Sequence, residues 1–178
     1  MDTNKLLITK YILYKFSIWY EEAFGENENN DLSILKSLKL IFLLATINSV
    51  KQNENLLDMG FEFAAMPYGP VEKEIYDCYK NGSLDDIIDK NGLKIHNLEA
   101  FIINNSIQQK DKAVIDNNLI ILKSYNYYLI SKSASYLVDL THKFTSWKEN
   151  YKLATSAGKY SHDIPKIDIQ EDHLHYSL

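Results

Sequence analysis

The sequence predicts a mainly α protein: a single compact helical domain with a small β element near a Gly-Pro-Val turn. Three observations predict it. Apolar residues recur at helical spacing in most segments, while only one or two stretches alternate as strands do. Polar or glycine-bearing breaks separate these segments. The composition, 46% hydrophobic and 24% charged over 178 residues, is that of an ordinary globular domain able to bury a core.

The elements follow in order. Leu6 to Tyr20 reads as a helix, with Ile8, Ile12, Phe16 and Trp19 on one stripe and Leu7, Tyr11, Tyr14 and Ile18 beside it. A helix apolar over so much of its surface belongs in a core, and Asp2 or Thr3 can cap it. Gly25 to Asp31, GENENND, reads as a mobile surface loop. Ser33 to Ser49 is a second helix, with Ile34, Leu38, Ile41 and Ala45 along one face. Lys51 to Asn55 is another polar loop. Gly60 to Met66, GFEFAAM, alternates Phe61 and Phe63 with Glu62 and reads as a short strand.

The strand runs into Pro67-Tyr68-Gly69-Pro70, a rigid turn. Pro70 is placed at the first position of the next helix, where a missing N–H costs nothing. Val71, Ile75 and Cys78 or Tyr79 form the inner face of that helix, and Asn81-Gly82 ends it. Ser83 with Asp86 reads as a capping box opening a short helix through Lys90. Leu93 to Ile107 fits either a strand or a helix. Asp111 to Tyr125 is a helix facing inward with Ile115, Leu119 and Leu122. Ser133 to His142 is another, with Leu137 and Leu140 inward. Thr145 reads as the cap of a last turn or two through Trp147, Tyr151 and Leu153. Beyond it lie Pro165, an Ile167-Asp168-Ile169 alternation and a polar end with His173 and His175.

Composition narrows the function. The formal net charge is -5, and all 19 basic residues are lysine. Arginine supplies the planar fork that grips phosphates and guanine edges, so an acidic chain without it suits nucleic acid poorly. The N-terminal stretch lacks the order of a signal peptide, and the apolar run Leu40 to Val50 is too short and polar to span a bilayer. The expectation is a cytoplasmic protein with no membrane partner. Sequons at Asn81 and Asn104 are then chance matches. The lone cysteine, Cys78, reads as a small core residue.

No metalloprotease, paired-cysteine, phosphate-cradling or nucleophile-elbow motif is present. His173, His175, Asp172 and His162-Asp163 have zinc-ligand chemistry, but at a chain end they read as a polar tail. The expectation is no catalytic residue, no metal and no cofactor. A histidine-based or metal-dependent hydrolase built on His142, and a DNA-binding regulator, are the alternatives. Two segments break the surrounding composition. One is Phe63 to Val71, dense in proline and glycine. The other is Leu137-Val138-Asp139-Leu140-Thr141-His142 followed by Trp147. His142 is expected to be structural, at a helix end where the dipole favours a cation.

These segments carry a resemblance. PYGPVEKEIYDCYKNG is similar to a pattern of a bulky residue, Gly-Pro-Val and an Ile-Tyr helix. LVDLTHKFTSW is similar to a Leu-Thr-His motif with a tryptophan a few residues on. Ser37-Leu38-Lys39-Leu40-Ile41-Phe42 is similar to a first-helix signature that usually reads Leu-Lys-Leu-Gln-Lys-Leu-Leu-Tyr. In order and spacing the three resemble the SocA-like antitoxin family, the Panacea domain. Here apolar residues replace the usual glutamine and second lysine.

The resemblance implies a helical antitoxin that neutralises a toxin encoded next to it, by direct binding or by presenting it to an ATP-dependent protease. It does not say which toxin. It implies one domain over 1–178, with a variable helix and loop over 1–32 and a tail over 160–178. The candidate partner-binding or motif residues are Tyr68, Gly69, Pro70, Val71, Tyr79, Thr141, His142 and Trp147. Tyr68 and Tyr79 are the interface choices, because tyrosine offers a large contact area and a polar tip.

Overall fold

The computed structural model describes residues 1–25, 30–49, 54–94 and 107–172. Asp2 caps the first helix, α1 (Thr3–Phe24), its carboxylate accepting the Lys5 backbone N–H at 2.7 Å. Ile8, Ile12, Phe16 and Trp19 are buried, as the stripe requires. Polar contacts then fasten α1 along its length. Lys5 meets the buried Glu72 at 2.5 Å, Lys10 meets Asp86 at 2.6 Å, and the Trp19 indole donates to the Tyr127 carbonyl at 3.0 Å.

Ser33 caps α2 (Ile34–Thr46) by accepting from the Lys36 N–H. Every residue from Lys36 to Thr46 is buried, so α2 is the central helix and has no solvent face in that stretch. Phe42 holds it in place, edge-on to Phe63 and to Phe144 with ring centroids 5.1 Å apart in both pairs. Each such pair contributes about 0.5–1.5 kcal/mol beyond area burial. Two lysines are carried inside with the apolar residues. Lys36 keeps an ion pair, 2.5 Å from Asp31, while Lys39 has none among the described residues.

After a 3₁₀ turn at Leu56–Met59, β1 (Phe63–Met66) and β2 (Gly69–Glu72) form a hairpin through Pro67-Tyr68. A third strand, β5 (His162–Ile164), pairs with the other side of β1, giving the antiparallel order β2-β1-β5. Pro70 is therefore not at a helix start. It lies in β2 opposite Ala65, on an edge strand, where a residue without an N–H is tolerated. The helix, α3 (Lys73–Lys80), begins three residues later because Glu72 caps it, accepting the Ile75 N–H at 2.7 Å.

Two further local expectations fail for the same reason: a side chain found a better partner. Ser83 opens no helix. Its hydroxyl donates to Asn81 Oδ1 at 2.6 Å, and Asp86 is taken by Lys10. A turn follows, then the small hairpin of β3 (Ile88–Asp89) and β4 (Gly92–Leu93), joined through Lys90-Asn91, with the Asp89 carboxylate accepting the Asn91 N–H at 2.7 Å. The end of the GENENND segment is not a free loop either. Asn30 is buried, accepts the N–H groups of Leu32 and Leu93, and donates to the Leu93 carbonyl at 2.8 Å. The rest of that segment, residues 26–29, lies outside the described residues, as do 50–53 and most of the ambiguous 93–107 stretch.

The remaining helices match their periodicity. α4 (Gln109–Tyr125) buries Ile115, Leu119 and Leu122, and a 3₁₀ turn follows at Tyr127–Ser131. Ser133 caps α5 (Ala134–Thr141), which buries Leu137 and Leu140. α6 (Thr145–Ser156) is longer than a turn or two, and Thr145 is its first residue, not its cap. The Asp172 carboxylate accepts the Thr145 and Ser146 N–H groups from 27 and 26 residues away. The chain reaches that point through β5 and the short α7 (Lys166–Gln170). The fold is mainly α with small strands, as the sequence predicts. Among the described residues, no helix is long and apolar enough to cross a membrane.

Candidate partner-binding site

The segments singled out in the sequence meet at the β1–β2 hairpin. From below, Lys39 reaches up from α2, and its Nζ donates to the Pro70 carbonyl at 2.7 Å. From one side, the Trp147 indole donates to the Met66 carbonyl at 3.0 Å. Thr141 closes the gap at the start of β2. Gly69 has φ +88°, and a Cβ added there would stand 2.6 Å from Thr141 Oγ1 and 3.2 Å from Lys39 Nζ. The expectation of a demanding Gly69 turn thus has two causes, a left-handed backbone and a neighbour too close to admit a side chain.

His142 stacks on Trp147 with centroids 3.9 Å apart, and Trp147 stacks on Tyr151 at 5.1 Å. The histidine ends α5, where the helix dipole favours a cation, yet its pKa is lowered. Burial is the main cause, repulsion from Lys39 the second; Asp139 and the Pro67 carbonyl oppose them. A dipole is worth about 0.3–1 kcal/mol, and desolvation outweighs it here. Lys39 is perturbed further. Buried, with no carboxylate partner among the described residues, its ammonium falls to about 7. Val71 is buried within β2, and Tyr79 is half-buried against the core, as is Cys78.

The tip of the hairpin behaves differently. Tyr68 is 66% exposed. It borders a groove of about 490 Å³ floored by Leu38, Met66 and Val71 and rimmed by Tyr76, Tyr160 and Lys80. Sequence reasoning missed Tyr76 and Tyr160. Tyr76 is the outward neighbour of a helix position read as inner, so its period alone could have marked it. Tyr160 carries no local signal and arrives there because β5 pairs with β1. A larger cleft of about 690 Å³ lies across Lys73, between Phe61 and the β5 segment.

Among the described residues, the His142 Nε2 is buried without a hydrogen-bond partner, and no carboxylate bonds the ring in the manner of a catalytic pair. His162 bonds Asn150 and the Asp163 carbonyl through Nδ1, Asp172 caps α6, and His173 and His175 lie outside the described residues. Among the described residues, no group of three His, Cys, Asp or Glu side chains is placed to hold a metal ion.

Comparison with known proteins agrees with the motifs. The family model described as antitoxin SocA-like, Panacea domain, matches residues 38–148. That span runs from the first turns of α2 to just past Trp147 and includes Lys39, Gly69, Thr141 and Trp147. No curated protein and no solved structure matches the chain.

Proposed function

The chain belongs to the SocA-like antitoxin family with the Panacea domain, and on that premise we propose that it silences a neighbour-encoded toxin by binding it through the Tyr68 hairpin tip and the adjoining groove. One observation carries the placement. The residues Lys39, Gly69, Thr141 and Trp147 of the matched segments all hold the hairpin, and the large aromatic they leave in solvent at its tip is Tyr68. Rigid loops on a packed scaffold are favoured binding elements. An aromatic tip beside an apolar hollow matches the anchor-and-pocket arrangement of interface hot spots.

Pro70, Val71, Thr141, His142 and Trp147 then act through the hairpin's shape, and Tyr79 gives way to Tyr76 as the second tyrosine of the surface. Occlusion of the toxin is the direct route. Presentation of the bound toxin to an ATP-dependent protease would use the same surface and leave another free for the protease. The role is a binding one without catalysis or cofactor, in a single domain over 1–178. The ties of α1 to Glu72, Asp86 and Tyr127 support including the segment that precedes the family match.

The test is co-expression of each neighbouring open reading frame with and without this chain. The expected result is one neighbour that arrests growth, is rescued by this chain and co-purifies with it. No toxic neighbour, or a toxic one neither rescued nor bound, overturns the reading. Rescue that is indifferent to Tyr68→Ala leaves the antitoxin role and removes the proposed surface.

A further inference from the structure

Lys39 is a large, fully buried side chain in the middle of the central helix. Its amine bonds the Pro70 carbonyl, 31 residues away. An ammonium has three protons to place, and one carbonyl in a dry site places one of them. A neutral amine has two, plus a lone pair, and fits the same site with a smaller deficit. The charged groups around it do not compensate. At the end of α5, the charge of Lys39 lowers the pKa of His142, and Asp139 acts on the histidine in the opposite sense. On β2, Glu72 is engaged by Lys5 and by the Ile75 N–H. On its own helix, Lys36 is occupied with Asp31. The Lys39 tip also lies against Gly69, where an added Cβ would stand 3.2 Å from its Nζ and 2.6 Å from Thr141 Oγ1.

We propose that Lys39 is a positioning residue for partner recognition: it tethers the partner-binding hairpin to α2, and gain of a proton on its amine loosens that tether and shifts the hairpin's pose. The inference rests on the Tyr68 surface proposed above for its consequence in binding, but not for the movement itself. Burial lowers the Lys39 ammonium to about 7, which places the change within the range a cell traverses. Above that pH the amine is neutral, the bond to Pro70 stands alone and the hairpin sits as described. Below it, the added proton lacks an acceptor among the described residues, so water must enter or the strand must move. The loop from Met66 to Gly69 is short and held at both ends, so a shift at Pro70 is passed on to Tyr68.

The experiment is a pH titration of the free protein by NMR, following the Lys39 Cε and the backbone amides of Gly69 and Val71 between about pH 6 and 9. The expected result is a shared midpoint near 7, with the amides following the lysine. Lys39→Met keeps the length of the side chain without the amine, and in it the amide transition should vanish while the His142 ring still titrates at lower pH. A Lys39 that stays charged to the top of that range, or one that titrates while Gly69 and Val71 do not respond, overturns the proposal. The wild-type titration decides this even if the variant does not fold. Binding of the co-purifying neighbour-encoded protein should then weaken by about fivefold or more from the alkaline to the acid end, and by less in Lys39→Met. If no neighbour binds, the antitoxin reading fails while the resonance titration still decides the fate of the tether.

Discussion

The base and the tip of the β1–β2 hairpin are separated by a few residues and follow different rules. At the base, Lys39, Thr141 and Trp147 close on Gly69, Pro70 and Met66 with fixed donors, a fixed backbone and no spare volume. At the tip, Tyr68 is mostly in solvent beside a groove shared with Tyr76 and Tyr160. The residues at the base hold the shape of the hairpin, whereas Tyr68 and Tyr76, which belong to the same motif stretch, stand at the surface beside the groove.

Substitution at the base should therefore act on stability, and substitution at the tip on binding. The largest effect is expected for Gly69→Val. It combines backbone strain at φ +88° with a clash against Thr141, and chemical denaturation should report a loss of about 2–4 kcal/mol. Gly60→Ala is the control, since Gly60 has φ +80° and the Cβ that alanine adds would meet nothing within 4 Å. It should lose only the backbone part, about 1 kcal/mol. Equal losses at the two sites would remove the case for a closely packed base.

Tyr68→Ala should leave the unfolding free energy within the scatter of surface changes, about 0.5 kcal/mol. Its cost should fall on the complex, about 2 kcal/mol or well over tenfold in Kd, measured by calorimetry against the co-purified toxin. A variant that loses stability and keeps its affinity would reverse the comparison.

The pH dependence of stability probes the base without changing its shape. Lys39 is lowered to about 7 in the folded chain, against about 10.4 for an unperturbed lysine. Between those values the unfolded chain holds a proton that the folded one has released. Stability should therefore rise with pH across that window, by up to about 1.4 kcal/mol per unit, and be flat for this group below it. Denaturation at about pH 7.5, 8.5 and 9.5 should show the slope in the wild type, and Lys39→Met should lose it. A smaller loss than that of Gly69→Val is expected for Trp147→Phe. It removes the indole donor to Met66 and should cost about 1–2 kcal/mol, with Tyr68-dependent binding largely retained.

Much of the architecture was legible because its signals are local. The caps Asp2, Ser33 and Ser133 each act on an N–H three residues ahead. The apolar faces of α1, α4 and α5 follow from their own period, and Asn81-Gly82 stops α3 as its chemistry requires. The candidate site was legible as a set of residues, since Gly69, Pro70, Thr141, His142 and Trp147 do come together. Their roles were not. Pro70 fits a helix start as well as an edge strand, and only the pairing of Ala65 with Pro70 decides between them.

What the sequence determined by itself is the succession of helices, the proline-glycine turn and the family, each written within a window of a few turns. Only the tertiary structure decided that α2 is buried on all sides from Lys36 onward, that Lys39 ends on the Pro70 carbonyl and that Asp172 caps α6. It also decided that Asn30 clamps β4, and that Tyr160 joins Tyr68 at one groove. The physical reason is range. Helix and turn preferences are short-range energies between neighbours in the chain. The partners of these other groups lie from 26 to 92 residues away, as Ser146 does from Asp172 and Tyr68 from Tyr160. A buried polar group takes whichever of its possible partners the packed chain brings within reach.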